Sequence, residues 1–226
     1  MIDPPKVYLV HALPISMEPI SASFRSYWPE ARVAHLLDDS LFGDFDRDNK
    51  VITGGMIERF RRLGNYCAAA GADAIMFTCS VFGRAIEAVQ RDHDIPVLKS
   101  NQALYEELMR RRGRVALLST FAATLSTVTT EIEESMTASG ARLQITPHLV
   151  EGALDALFDK RPDEHNRLIA EAAARFADHD AIAFTQFSMA PALELAQARV
   201  STPVLTPPNA AIRKMKALMG MAGQSG

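Results

Sequence analysis

Two stretches of this chain are copies of one another. Residues 73–98 lie on residues 180–205 at a constant offset of 107, without a gap. Of these 26 positions 11 are identical, where ordinary composition gives about two by chance. The identities include Asp73/Asp180, Thr78/Thr185, Glu87/Glu194, Gln90/Gln197 and Pro96/Pro203. Shared patterning inflates apolar matches, but not polar and proline ones. Such a repeat implies an internal duplication, and so two halves of one architecture.

Within each half, short apolar runs alternate with helical spacing. Val7–Val10, Arg32–Leu37, Asp73–Phe77 and Pro96–Leu98 read as strands of the first half. Arg114–Leu118, Arg142–Leu149, Ala181–Phe184 and Pro203–Leu205 read as strands of the second. Helical spacing covers 19–28, 57–70, 81–91 and 102–112, then 125–139, 163–177, 191–198 and 210–219. This order predicts parallel sheets covered on both faces. The expected fold is α/β, with two pseudo-symmetric parallel-sheet lobes, 1–99 plus 206–226 and 100–205. Ligands in such sheets bind beyond the carboxyl ends of the strands. Two related halves facing each other would set equivalent loops on opposite walls of one cleft. Thr78-Cys79-Ser80 is then matched by Thr185-Gln186-Phe187, so a cysteine is expected opposite a glutamine. The polar stretch Asp38–Asp44 reads as a loop long enough to fold over a site.

Composition narrows the function. The chain has 226 residues and a net charge of −3, so no broad basic field for nucleic acid is implied. The one basic run, Arg110-Arg111-Arg112 with Arg114, falls where a helix should end and complements its dipole. No segment approaches the ~18 apolar residues of a membrane span, and the N-terminus lacks a signal-peptide pattern. The two cysteines cannot make a disulfide framework, and a reducing cytoplasm is the natural compartment. There is no GxGxxG and no Walker loop, no GxSxG elbow, and no metal-ligand spacing among the histidines. A cofactor-free reaction is the simplest reading.

The chemistry-bearing residues gather at strand ends. Cys79, between Thr78 and Ser80, lies between a strand and a helix N-terminus, where unsatisfied N–H groups attract anions. That field is expected to lower the thiol pKa, fitting Cys79 to act as acid, base or nucleophile. Thr78 and Ser80 add hydroxyl donors for a substrate carboxylate. Ser119 and Thr120, with Thr124, repeat the hydroxyl-rich strand end and read equally as helix caps or ligand donors, and Thr185 is the second-half match of Thr78. His11 ends the first strand and is either an acid–base group or a satisfied loop residue. Ser188 is either a cap or a cleft hydroxyl. Asp38, Asp39 and Asp44 read as solvated or capping. Glu151 follows a strand and is a weaker site candidate. Cys67, beside three alanines in a helix, reads as core packing.

These residues carry a family likeness. The chain resembles the aspartate/glutamate racemase superfamily, which includes hydantoin racemases, maleate isomerases and arylmalonate decarboxylases. The likeness rests on Gly71–Ser80, on Asp180–Ser188, on Leu117-Leu118-Ser119-Thr120 and on the two Pro-Val-Leu strands. It implies a cofactor-independent racemase or isomerase acting on a small carboxylate such as an amino acid, and dimers are common in that family. Racemases of the family use one cysteine per half, on opposite faces of the substrate Cα. Cys79 matches the first, and Gln186 stands at the second. An amide does not titrate near neutrality, so a second acid–base group would come from elsewhere, His11 or a water held by Ser188. Alternatively, a decarboxylase needs only one proton donor, which Cys79 would supply. A third reading is a non-catalytic carboxylate-binding protein.

Overall fold

In a computed structural model, residues 3–222 are described. They form two compact units. One runs to Gln102 and resumes from Ala211; the other is Ala103–Ala210.

The first unit holds strands β1 (Lys6–His11), β2 (Arg32–Leu37), β3 (Ala74–Phe77) and β4 (Val97–Leu98), in the order β2-β1-β3-β4. The second holds β5 (Gly113–Ser119), β6 (Leu143–Leu149), β7 (Ala181–Phe184) and β8 (Val204–Leu205), in the order β6-β5-β7-β8. Every pairing is parallel. This is the α/β class, in two four-stranded sheets, that the repeat predicts. β3 and β7 are buried at every residue, as strands covered on both faces must be.

The helices of the first unit are α1 (Met17–Tyr27), α2 (Ser40–Arg47), α3 (Gly54–Ala69) and α4 (Gly83–Asp92). α5 (Gln102–Met109) leads into the second unit, which adds α6 (Ala122–Ser139), α7 (Ala153–Phe158), α8 (Pro162–Ala174) and α9 (Leu193–Gln197). α10 (Pro207–Ala222) leads back to the first. Thr53 caps α3, its Oγ1 accepting from Met56 N at 3.3 Å. Met56, Phe60, Gly64 and Cys67 then form the buried stripe of that helix. Its rings pack on the sheet: Phe60 stacks on Phe77 at 5.3 Å and meets Phe82 at 5.0 Å. Burial pushes the Cys67 thiol up to about 12, in keeping with a packing role.

Three segments depart from the sequence expectations. Residues 40–47 are helical rather than loop. Leu41 and Phe45, four residues apart, bury on the core, and Arg59 grips the segment through Asp38 and Asp44. Three acidic residues in seven masked a two-residue apolar stripe. α7 was not expected, being only six residues long. The helix expected at 191–198 begins as a 3-10 turn at Phe187–Ala192, because Pro191 lacks an N–H for an α-helical ladder.

The repeated aspartates perform the same task in each unit, and the repeated glutamines related ones. Lys6 N donates to Asp73 Oδ2 and Arg114 N to Asp180 Oδ2, both at 2.7 Å. Gln90 donates its amide to Val97 O, and Gln197 to Val200 O and Thr202 O. These residues hold strand ends and connections, which accounts for their survival in both copies. Gly113, at φ +96°, lies against Asp180, and a Cβ there would collide with its carboxylate. Gly113→Ala is therefore expected to destabilise the protein by about 2 kcal/mol or more, from strain and the displaced carboxylate. A urea melt with an unchanged midpoint would contradict this.

Candidate active site

The carboxyl end of the first sheet is organised by Thr78. Its N–H bonds Val10 O at 3.0 Å, extending the β1–β3 ladder by one step. Its Oγ1 lies 2.9 Å from His11 Nδ1 and 3.0 Å from Ser16 Oγ. Cys79 follows, in extended conformation, before the 3-10 turn Ser80–Phe82. Phe82 is fully buried and meets the rings of Phe45 and Phe60 at 5.3 and 5.0 Å. The cysteine is thus pinned between a ladder hydrogen bond and an aromatic anchor.

The expected thiolate is not found. Burial pushes the Cys79 thiol up to about 11, against a smaller opposing pull from a hydrogen bond with the Val81 backbone. The long helix begins only at Gly83, so its dipole acts through an intervening turn, and desolvation dominates. Cys79 is a neutral thiol at neutral pH.

His11 has no exposed surface and both ring nitrogens are engaged. Nε2 lies 2.9 Å from His35 Nδ1, and His35 Nε2 lies 3.1 Å from Ser21 Oγ, which donates to Met17 O. Proton accounting along this chain gives one consistent pattern. Ser21 accepts from His35 Nε2–H, so His35 Nδ1 accepts from His11 Nε2–H. His11 Nδ1 is then an acceptor, and because Ser16 Oγ donates to Leu13 O at 2.9 Å, the Thr78 hydroxyl donates to it. Both imidazoles are neutral, and the His11 pKa falls to about 4, through burial first and His35 second. His11 therefore orients the strand end that carries Cys79.

Unengaged groups stand next to this edge. Ser80 is half-buried and has no hydrogen-bond partner among the described residues. β4 ends at Leu98, paired in parallel with Met76 of β3, and the turn that follows it at the same edge of the sheet carries Ser100 and Asn101. Asn101 is 3% exposed and neither amide atom has a partner among the described residues; Ser100 Oγ is likewise buried and unpaired among them. An orphaned buried amide costs about 1–3 kcal/mol, so this position is unusual for a folded core. Neither residue was singled out in the sequence, where Lys-Ser-Asn reads as an ordinary turn.

In the second unit, Thr185 N donates to Leu118 O at 3.0 Å and its Oγ1 to the same oxygen at 3.1 Å. Its hydroxyl is thus committed to the backbone. Gln186 occupies the position equivalent to Cys79. Its Oε1 lies 2.7 Å from Thr120 N, 2.9 Å from Ser119 Oγ and 3.0 Å from Thr120 Oγ1. Ser119 and Thr120 therefore hold a side chain rather than stand free, and Gln186 Nε2 has no hydrogen-bond partner among the described residues. Ser188 contributes its carbonyl, which lies 3.1 Å from His165 Nε2, while His165 Nδ1 lies 2.7 Å from Ala153 O. Buried His165 thus ties the β6 and β7 loops together, a part its sequence position did not reveal. Thr124 is buried in α6 and Glu151 is exposed. Among the described residues no three His, Cys, Asp or Glu side chains could hold a metal ion. No helix among them is long and apolar enough to cross a membrane.

A family model described as Asp/Glu/Hydantoin racemase matches residues 42–181. No curated protein sequence matches the chain. Among solved structures, the allantoin racemase of Klebsiella pneumoniae superposes with a TM-score of 0.69 at 15% identity, over 96% of this chain and 89% of that one. The glutamate racemase of Francisella tularensis, in complex with D-glutamate, superposes with a TM-score of 0.65 at 14% identity, over 98% and 83%. A glycine-to-cysteine mutant of arylmalonate decarboxylase superposes with a TM-score of 0.63 at 14% identity, over 96% and 92%.

The histidine relay generates a pH signature. The fold favours neutral His11, so its contribution is complete above the unfolded pKa near 6.5. It is lost as pH falls from there toward about 4. The loss is on the order of 3 kcal/mol. Denaturation of wild type against His11→Gln over pH 4–7 measures it. The variant should show a flatter profile, and parallel profiles would sink the assignment.

Proposed function

Because this chain belongs to the Asp/Glu/hydantoin racemase family, we propose that it is a cofactor-independent racemase- or isomerase-type enzyme acting on a small carboxylate, with Cys79 as its proton-transferring thiol. The observation that carries this reading is the placement of Cys79. It is a half-buried, neutral thiol, held at the carboxyl end of a parallel sheet by Thr78 behind it and Phe82 beyond it. Ligands of open α/β sheets bind at that edge. Breaking a bond at the carbon next to a carboxylate leaves an enediolate. A thiol within reach delivers its proton to that carbon and becomes a thiolate. Preorganised donors aimed at the developing charge lower the barrier. In the first unit the groups with such capacity are Ser80, Ser100 and Asn101.

Gln186 is read as a hydrogen-bonding group rather than a second base. Ser119 and Thr120 fix its oxygen, so its orientation is set and its N–H groups are left for a carboxylate or carbonyl oxygen. With both cysteines free, the proposed compartment is the reducing cytoplasm.

The neutral thiol also supports a second reading, decarboxylation of a malonate-type acid. Loss of carbon dioxide creates the carbanion without any base, and the resting form of Cys79 is already the acid that quenches it. Racemisation instead requires a thiolate to begin one direction of turnover.

Turnover of amino acids and malonates in deuterium oxide separates the readings. Inversion with solvent deuterium at Cα supports the first, and carbon dioxide release with deuterium in the product supports the second. Cys79→Ala should abolish either, and wild-type rates in that variant would remove Cys79 from the mechanism. A rate that is flat over pH 7–9 and falls toward pH 11 identifies Cys79 as the acid; a rate that rises with pH identifies a base.

Asn101→Leu offers a separate check. Losing a hydrogen bond to a charged group is worth about 1.5–3 kcal/mol, so KM should rise roughly tenfold or more while thermal stability holds or improves. A lowered Tm with unchanged KM would make Asn101 structural.

A further inference from the structure

We propose that the arginine cluster at the other edge of the second sheet binds a small multivalent oxyanion. This edge carries the amino ends of β5 and β6, opposite the end with Ser119 and Gln186. α5 and α6 both terminate there, at Met109 and Ser139. Between them lies a cavity of about 450 Å³, lined by Arg110, Arg111, Arg112 and Arg142 together with residues 109 and 139–141.

No acidic side chain is among the lining residues. Arg111 reaches Glu107 at 3.4 Å. Arg110, Arg112 and Arg142 are exposed and make no ion pair among the described residues. Helix C-termini were the expected partners of this basic run, and their strength can be weighed. Each carries roughly half a negative charge. Two such ends and Glu107 offset about two of the four guanidinium charges, leaving about two positive charges facing one cavity. The Arg111 Nε atom is shielded from solvent without a partner, so part of this cluster has lost water without gaining a protein acceptor.

Guanidinium groups bind carboxylate and phosphate oxygens in bidentate fashion. A ligand with one negative charge would leave the cluster under-neutralised, whereas a polyphosphate or a polycarboxylate would complete it. The volume admits a molecule of that size and exceeds what a single small ion needs. Distance from the strand ends that carry the candidate catalytic groups makes this a site separate from turnover, independent of the function proposed above.

Titration calorimetry with inorganic pyrophosphate and, separately, with citrate tests the proposal on the intact protein. At least one is expected to bind with a Kd below about 1 mM at 10 mM salt, and the tighter of the two identifies the ligand class. Binding should weaken as salt rises to 0.1 M and the screening length shrinks from about 30 to about 10 Å. It should also raise Tm with ligand concentration. The double variant Arg112→Gln/Arg142→Gln should weaken binding at least tenfold, with an unchanged far-UV circular dichroism spectrum. The single variant Arg110→Gln, at an exposed position, provides a second check if the double variant folds poorly. Absence of binding by both anions, or full affinity in the folded arginine variants, would overturn the site.

Discussion

The hydrogen bond from Thr78 N to Val10 O, and its counterpart from Thr185 N to Leu118 O, is the interaction on which the candidate site depends. Each adds one rung to a parallel ladder after the strand proper has ended. The threonine is thereby tied to the neighbouring strand, and the residue after it leaves the sheet at a fixed point. In one unit that residue is Cys79 and in the other Gln186. The groups packed around that point desolvate the half-buried Cys79 and keep its thiol neutral.

The two units show how a duplicated edge diverges while its scaffold is kept. Asp73 and Asp180, and the N–H groups of the two threonines, make matching bonds. The two glutamines already differ, Gln90 bonding Val97 O and Gln197 the carbonyls of Val200 and Thr202, and beyond them the loops separate. Around Thr78, the hydroxyls and imidazoles of Ser16, His11, His35 and Ser21 form a chain of neutral groups leading to a helix carbonyl. Around Gln186, three donors converge on a single amide oxygen. One edge presents a neutral thiol, and the other presents amide N–H groups that do not titrate. That asymmetry, rather than a pair of equivalent thiols, is the chemistry this chain brings to the racemase family fold.

The sequence by itself determined the α/β class, the two parallel sheets and the singular position of Cys79. Period, proline placement and the gapless repeat are local signals that survive without contacts. It also marked Thr78, Ser119, Thr120 and Gln186 as neighbours of the strand ends. Only the tertiary structure decided what those residues do. Ser119 and Thr120 clamp Gln186 because β5 and β7 are adjacent in the sheet, across more than sixty residues of chain. His11 became a buried relay because β1 and β2 are paired, which sets His35 beside it. Asn101 acquired significance because the turn after β4 buries it at the carboxyl edge of the first sheet, with no partner for its amide among the described residues. The thiol pKa went up rather than down because desolvation depends on everything packed around a group, whereas a helix terminus can be read from the chain alone.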